Sequence, residues 1–267
     1  LNIPGKSRVA LVGPSGSGKT TLLRLLCRLH EPAEDSIFVC GQDVTGVNCP
    51  SLRAAVTYVP QSTVLLNGTV RRNLLLGVTR SVSDDEIWEK AAELGLDKLL
   101  RDLGGLEKSV GERGERVSGG QKHAVALLRA ALRNTPLLLL DECTAALDTK
   151  NEEVISRALK RLARGRTTLV VTHRLSSLRD FDYIYVMNEG CVVEEGDFRT
   201  LAASAAASAA RSSSSSASSP ATKPASALRD SKCSRKATFE QLYERSGRRA
   251  RFRVRGNTAA RATAIQQ

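Results

Sequence analysis

Long apolar runs are missing from this sequence. None approaches the roughly 18 residues that a helix needs to cross a bilayer, and no secretory signal peptide is visible. Paired cysteine spacing is missing too. Cys27, Cys40, Cys49, Cys143, Cys191 and Cys233 form no C-x-x-C pair and have no partnered histidine, which argues against a disulfide framework or a metal site and fits a reducing, cytosolic setting. Net charge is scarce in most of the chain. Of 40 Lys and Arg, 13 fall in residues 202–267 together with only 3 of the 28 Asp and Glu, so the tail carries +10 of the total +12 and residues 1–201 carry +2. A nearly neutral body is no nucleic-acid surface, and no nucleic-acid partner is expected. The sequence opens at Leu1 without a Met, a dozen residues before its first motif, and is expected to be part of something longer. Its 267 residues suffice for one large domain or two modest ones with a buried core.

What is present is organised around Gly13-Pro14-Ser15-Gly16-Ser17-Gly18-Lys19-Thr20, which fits the phosphate-loop pattern G-x-x-x-x-G-K-[ST] at every fixed position. Val9-Ala10-Leu11-Val12 reads as a buried strand before it, and Thr21-Leu22-Leu23-Arg24-Leu25-Leu26 as the start of a helix after it. Strand, loop, helix is the context the motif requires. The glycines let the backbone wrap a phosphate with its N–H groups turned inward, and the helix N-terminus adds its dipole. Lys19 can place an ammonium between the outer phosphates, and the Thr20 hydroxyl can ligate Mg²⁺. Gly13 through Thr21 are therefore the candidate nucleotide-binding residues.

Further along, Ser36–Val44 reads as a short strand pair and Val56–Val59 as a strand stopped by Pro60. Ser83 and Glu86 have capping-box spacing for a helix through Leu94, and a second short helix is expected over Asp97–Leu103. Ser118 and Gln121 repeat that spacing before Ala124, Leu127, Leu128, Ala131 and Leu132, which recur at helical intervals until Asn134-Thr135-Pro136. Leu137–Leu140 is continuous, as a strand covered on both faces should be. A helix over about Asn151–Ala163 follows, then strands at Thr167–Val171 and Ile184–Met187. Strands alternating with helices mean an α/β fold with a parallel sheet, and its ligands bind at the carboxyl ends of the strands. From Ala202 to Ser219, 17 of 18 residues are Ala or Ser, a composition that predicts a disordered insert.

Three further groups carry chemistry. Asp141 and Glu142 close the Leu137–Leu140 strand, where Asp141 suits the Mg²⁺ shell and Glu142 suits polarising the attacking water; on their own they would be an ordinary strand-end turn. Ser118, Gly119, Gly120 and Gln121 form a second anion cradle at a helix N-terminus, or else a plain capping box. One phosphate chain does not need two cradles, so the economical reading pairs two chains head to tail, each cradle serving the nucleotide on its partner's loop. His173 at a strand end can hydrogen-bond phosphate or water, although a lone histidine is usually structural. The Gln61 amide can reach the metal or the water.

This constellation resembles the ATP-binding cassette (ABC) transporters, specifically the nucleotide-binding domain of the exporter type. The phosphate loop is similar to Walker A, Tyr58-Val59-Pro60-Gln61 to the Q-loop, Val117–Gln121 to the LSGGQ signature and Leu137–Glu142 to Walker B. Ala145-Ala146-Leu147-Asp148 resembles the D-loop and Thr172-His173-Arg174 the switch histidine. Leu65–Asn73 and Val110–Gly114 look like exporter sequences. The resemblance covers residues 1 to about 201, and departs from the family at Val117, usually Leu, and at Cys143, where a small residue or Pro is common.

It implies a P-loop NTPase parallel sheet with a helical subdomain inserted at about 62–135. The family's first antiparallel strands and its adenine-stacking aromatic would lie upstream of Leu1; Tyr58 is the nearest aromatic candidate. Gly196–Leu201 and Phe239–Tyr243 look like two halves of one family segment, so 202–236 reads as an insertion and 237–267 as a short helix with a basic tail. The implied function is a motor that binds ATP and Mg²⁺ and hydrolyses ATP to drive export. Its partners are a transmembrane domain and a second cassette, at the cytosolic face of a membrane. Thr20, Gln61 and Asp141 would attend the metal, while Glu142, Gln61 and His173 would act in hydrolysis. Arg245, Arg248, Arg249, Arg251, Arg253 and Arg255 suit an anionic membrane surface or a solvated tail equally. The alternative function is a soluble, non-transport cassette ATPase acting on ribosomes or DNA.

Overall fold

The computed structural model describes residues 1–143, 149–173 and 175–203. The stretch read as a D-loop, Arg174, and the Ser/Ala-rich and basic segments from residue 204 on lie outside the described residues. The strands are β1 (Arg8–Val12), β2 (Phe38–Val39), β3 (Gln42–Asp43), β4 (Val56–Val59), β5 (Leu137–Asp141), β6 (Thr167–Val171), β7 (Tyr183–Asn188) and β8 (Cys191–Gly196). The helices are α1 (Lys19–Leu26), α2 (Cys49–Ala55), α3 (Val70–Leu74), α4 (Asp84–Leu94), α5 (Asp97–Asp102), α6 (Gly119–Arg133) and α7 (Thr149–Leu162). β4 neighbours β5, β1 neighbours β7, β7 neighbours β8, and β2 with β3 makes a separate hairpin.

The chain divides into two compact units and passes between them after residues 2, 8, 22 and 170. The first holds residues 1–2, 9–22 and 171 onward. Here β1 runs parallel to β7, with Val9 opposite Tyr183 and Val12 opposite Val186. The sequence implied a parallel sheet, but β8 is antiparallel to β7, so the sheet is mixed. The cause is local: Glu189 and Gly190, at φ 50° and 79°, make a two-residue turn of the left-handed kind that matches strand twist and returns the chain at once. Ala10, Val12, Ile184 and Val186 alternate onto one face and bury against Leu178 and Leu201.

The second unit holds residues 3–8 and 23–170. In it β4 and β5 pair in parallel, Val56 opposite Leu137 through Val59 opposite Leu140. Its core is built along α6, where Leu127, Leu128 and Leu132 pack among Ile87, Ala91 and Leu94 of α4, Leu138 and Leu140 of β5, and Ile155 and Ala158 of α7. Each such leucine, fully buried, contributes about 1.5–3 kcal/mol. α6 keeps the ends its sequence sets. Ser118 and Gln121 form both halves of a capping box, and Asn134 at φ 46° turns the chain out just before Pro136.

The expected box at α4 is only half made. Ser83 accepts the Glu86 amide, but the Glu86 carboxylate pairs with the Arg80 guanidinium, a stronger, charge-assisted partner than a backbone N–H. Two short helices were not expected. α2 carries Pro50 in its first turn, where proline is tolerated because that N–H has no helical partner. α3 is held by Asn73, which is fully buried. Its amide donates to Leu66 O and Thr69 O and accepts from Leu66 N, so one side chain satisfies the loop before the helix.

Candidate active site

In the first unit β1 delivers the chain into the phosphate loop at Gly13. A Cβ built there would sit 2.1 Å from Met187 O and 2.8 Å from Ser17 Oγ, so only glycine fits against β7. Gly190 N donates to Ser17 O at 3.1 Å, tying the loop to the turn between β7 and β8. Lys19 is 5% exposed. Its ammonium folds back across the loop, donating to Pro14 O at 2.7 Å, Gly13 O at 3.1 Å and Ser17 Oγ at 3.2 Å. Beside these neutral oxygens the charge is well placed for an anion. Ser15 and Gly16 are exposed, and a Cβ on Gly16 would meet nothing within 4 Å. Thr20 is half-buried at the start of α1, Thr21 is exposed, and His173 is exposed at the end of β6, where Thr172 N donates to Leu11 O. These residues fit a nucleotide's phosphates.

In the second unit β5 ends in two carboxylates with different surroundings. Asp141 is 1% exposed and accepts from Tyr58 OH through Oδ2 at 3.1 Å. Burial, and then the Asp141 charge, push the Tyr58 phenol up to about 12, so it keeps its proton at any physiological pH. Glu142 is half-buried and left-handed at φ 48°, and its Oε2 accepts from the exposed Gln61 amide at 2.9 Å. A glutamate in that region costs backbone energy and is common at functional sites. The structure thus brings Gln61 to Glu142 and Tyr58 to Asp141. A buried carboxylate suits Mg²⁺, a hard cation that takes oxygen ligands.

Cys143 occupies the family's small-residue position by burying its thiol. The S–H donates to Val59 O at 3.6 Å, and burial pushes its pKa up to about 12. Alkylation of the native protein at pH 8 is expected to label exposed Cys40 and Cys191 and to spare Cys143 and buried Cys27 until the chain is unfolded; peptide mass spectrometry reads this directly.

The signature cradle holds a feature the sequence did not disclose. Ser118 Oγ accepts Gln121 N, and Gln121 Oε1 accepts Ser118 N, as a capping box requires. Gly120 is buried, however, and a Cβ there would lie 2.8 Å from the Asn151 side chain, so this glycine is set by the approach of α7 as well as by any anion. His123, one turn further, was also missed. It is buried, with Nδ1 3.0 Å from the carbonyl oxygen of Gly119 and Nε2 without a hydrogen-bond partner among the described residues.

Residues 1–145 match the family described as ABC transporter. The chain belongs to that family. The cassette is 44% identical over 205 residues to the iron-sulfur clusters transporter ABCB7, mitochondrial, of Homo sapiens, covering 76% of this chain and 27% of that protein. It is 40% identical over 206 residues to the ATP-dependent lipid A-core flippase 2 of Colwellia psychrerythraea, covering 77% of this chain and 35% of that protein. A solved bacterial Atm1-family ABC exporter with ATP bound superposes with a TM-score of 0.71 at 38% identity, over 82% of this chain and 38% of that one. The cassette is a nucleotide-binding domain of the exporter type, and it spans between 27% and 38% of the length of these relatives. No helix among the described residues is long and apolar enough to cross a membrane.

Proposed function

We propose that this cassette binds MgATP and hydrolyses it in a head-to-tail pair of cassettes, and that the pair powers export through a transmembrane part at the cytosolic face of a membrane. The observation that carries this reading is the unequal pair at the end of β5. Asp141 is buried and accepts from the Tyr58 hydroxyl, while Glu142 is half-buried and accepts from the Gln61 amide. One is fit to hold a cation and the other to take a proton from water. The relatives named above are transporters and a flippase, which favours export over a soluble ATPase acting on ribosomes or DNA.

In this reading Lys19 and the loop amides orient the phosphates, and Thr20 and Asp141 hold Mg²⁺, with Gln61 in reach of the metal or the water. Mg²⁺ supplies neutralisation of the charge that develops on the transferred phosphoryl group. Glu142 accepts the proton of the attacking water, and the Gln61 amide keeps that carboxylate aimed. His173 hydrogen-bonds the outer phosphate. Ser118, Gly119, Gly120 and Gln121 serve the nucleotide on the partner's loop through the Ser118 hydroxyl and the first helical amides.

Complementation tests the pairing in the full-length transporter. Ser118→Arg and Lys19→Ala are each expected to abolish hydrolysis alone. In a mixed dimer the Lys19 loop of one chain meets the intact Ser118 of the other. Random mixing of two-fold dimers should therefore restore roughly a quarter of the wild-type rate. No recovery on mixing would rule out shared sites while leaving ATP hydrolysis itself standing.

A further inference from the structure

A cavity of about 230 Å³ lies within the second unit, where the last turns of α4 and α7 meet α6 and the turn before β6. Its walls are apolar at Leu94 and Leu162, and the rest of its lining is mostly charged: Lys90, Arg161, Arg164 and Arg166 against one carboxylate, Glu93. Lys90 pairs with Glu93. None of the three guanidiniums forms an ion pair among the described residues, so the cavity carries an excess of three positive charges. Neutral acceptors hold two of them in place. Arg161 Nη1 donates to the Glu93 carbonyl at 3.1 Å, and a Cβ on Gly95 would come within 2.9 Å of it, so the left-handed glycine that ends α4 leaves the guanidinium its room. Arg166 donates through Nη1 to Ala130 O at 3.3 Å and through Nη2 to Asn134 Oδ1 at 2.8 Å. Burial lowers the Arg166 pKa from its ordinary value, as it does for a charge short of compensation. Cations at helix C-termini offset the helix dipole. That role takes one or two of the five donors on each guanidinium and leaves the others for a ligand.

We propose that this cavity is a binding site for a compact oxyanion with two linked phosphates, a diphosphate, held by Arg161, Arg164 and Arg166. Size and charge both select that class. The volume falls below the roughly 300–1,000 Å³ of pockets that take drug-sized ligands, and a single phosphate, at about −1.5 to −2, would leave positive charge uncompensated. A guanidinium presents a planar fork that meets phosphate oxygens with parallel hydrogen bonds, and three such forks can serve both phosphates. The site shares no residue with the phosphate loop, with Asp141 and Glu142, or with the Ser118 cradle. It is a second ligand site. Bound diphosphate ties the ends of α4 and α7 to the turn before β6, and by mass action it stabilises the folded chain.

Calorimetric titration of the whole chain with inorganic diphosphate tests this, with a non-hydrolysable ATP analogue saturating the phosphate loop and no added metal. One saturable site is expected, with orthophosphate binding about 10-fold or more weakly because it meets fewer of the charge-assisted donors. Replacing Arg161 and Arg164 together by glutamine should weaken diphosphate about 10- to 100-fold, the loss of one or two such bonds. Arg164 is exposed and its side chain bonds nothing among the described residues, so Arg164→Gln alone serves if the double variant does not fold, with a loss of about 3- to 10-fold. Glu93→Gln removes the one carboxylate and should tighten binding about 2- to 5-fold, the usual range for an exposed charge interaction. A variant that merely damages the fold cannot bind more tightly. The thermal midpoint should rise with diphosphate concentration in the wild type and much less in the arginine variants. The proposal is overturned if diphosphate does not saturate a site, if the arginine variants bind it as the wild type does, if Glu93→Gln fails to tighten it, or if orthophosphate binds equally well.

Discussion

Glu142→Gln is expected to keep ATP binding and to lose hydrolysis by about 10²-fold or more, the loss that follows removal of a general base. The geometry makes this substitution a clean one. Glu142 accepts from the Gln61 amide through Oε2, and a glutamine carbonyl can accept the same bond, so the side chain stays where it is. The left-handed backbone at φ 48° costs a glutamine about what it costs a glutamate, and the fold has no reason to shift. What disappears is basicity. Single-turnover hydrolysis and nucleotide titration on the same preparation separate the two effects. Wild-type turnover in the variant would remove Glu142 from the role of base.

The largest effect on the fold is expected from Gly13→Ala. Its Cβ would lie 2.1 Å from Met187 O, a backbone oxygen fixed by the pairing of β7 with β1 and β8, and 2.8 Å from Ser17 Oγ. A flexible side chain could swing away from such a contact; a strand carbonyl cannot. Relief requires moving the loop off the strand, at a cost of about 3 kcal/mol or more. Ser17 Oγ also holds the Lys19 ammonium, so nucleotide affinity should fall with stability. Gly16→Ala is the control. Its Cβ would meet nothing within 4 Å, leaving only the cost of placing alanine at φ 81°, about 1–2 kcal/mol. Thermal unfolding of both variants with and without ATP should show Gly13→Ala much the lower, and a Tm within a degree or two of wild type would mean the close approach does not exist.

Much of this fold was legible because its strands are punctuated. Pro60 and Pro136 bracket the runs that became β4 and β5, and an unbroken leucine run needs cover on both faces, which α6 helps to provide. α6 was legible from both ends, since its caps are chemical signals carried by the residues themselves. α3, five residues long, carries no periodicity to read, and it exists because Asn73 substitutes for backbone partners that no pattern of apolar residues announces. β8 was missed because half of its residues are exposed and its pairing depends on the turn at Glu189-Gly190.

The residue types of the site were likewise plain in the sequence, but their contacts were not. Gln61 lies 81 residues from Glu142, and Tyr58 lies 83 from Asp141. Spacing of that length says nothing about which side chain meets which. The parallel register of β4 and β5 supplies the answer, because it places Tyr58 two residues below Asp141. Gly120 shows the converse. Its place in a recognised motif pointed to an anion, while the proximity of Asn151 adds a packing demand from a helix further along the chain.

The phosphate loop has a consequence for engineering. Its signature is confined to eight consecutive letters, yet its curvature is braced by Met187 O behind Gly13 and by Gly190 N on Ser17 O, both about 170 residues downstream. The motif is portable and its brace is not. A chimera that grafts these eight letters into another cassette inherits whatever hairpin that host places behind them. Recombination points between cassettes should therefore be chosen so that the loop and the turn joining β7 to β8 travel together as one inherited block.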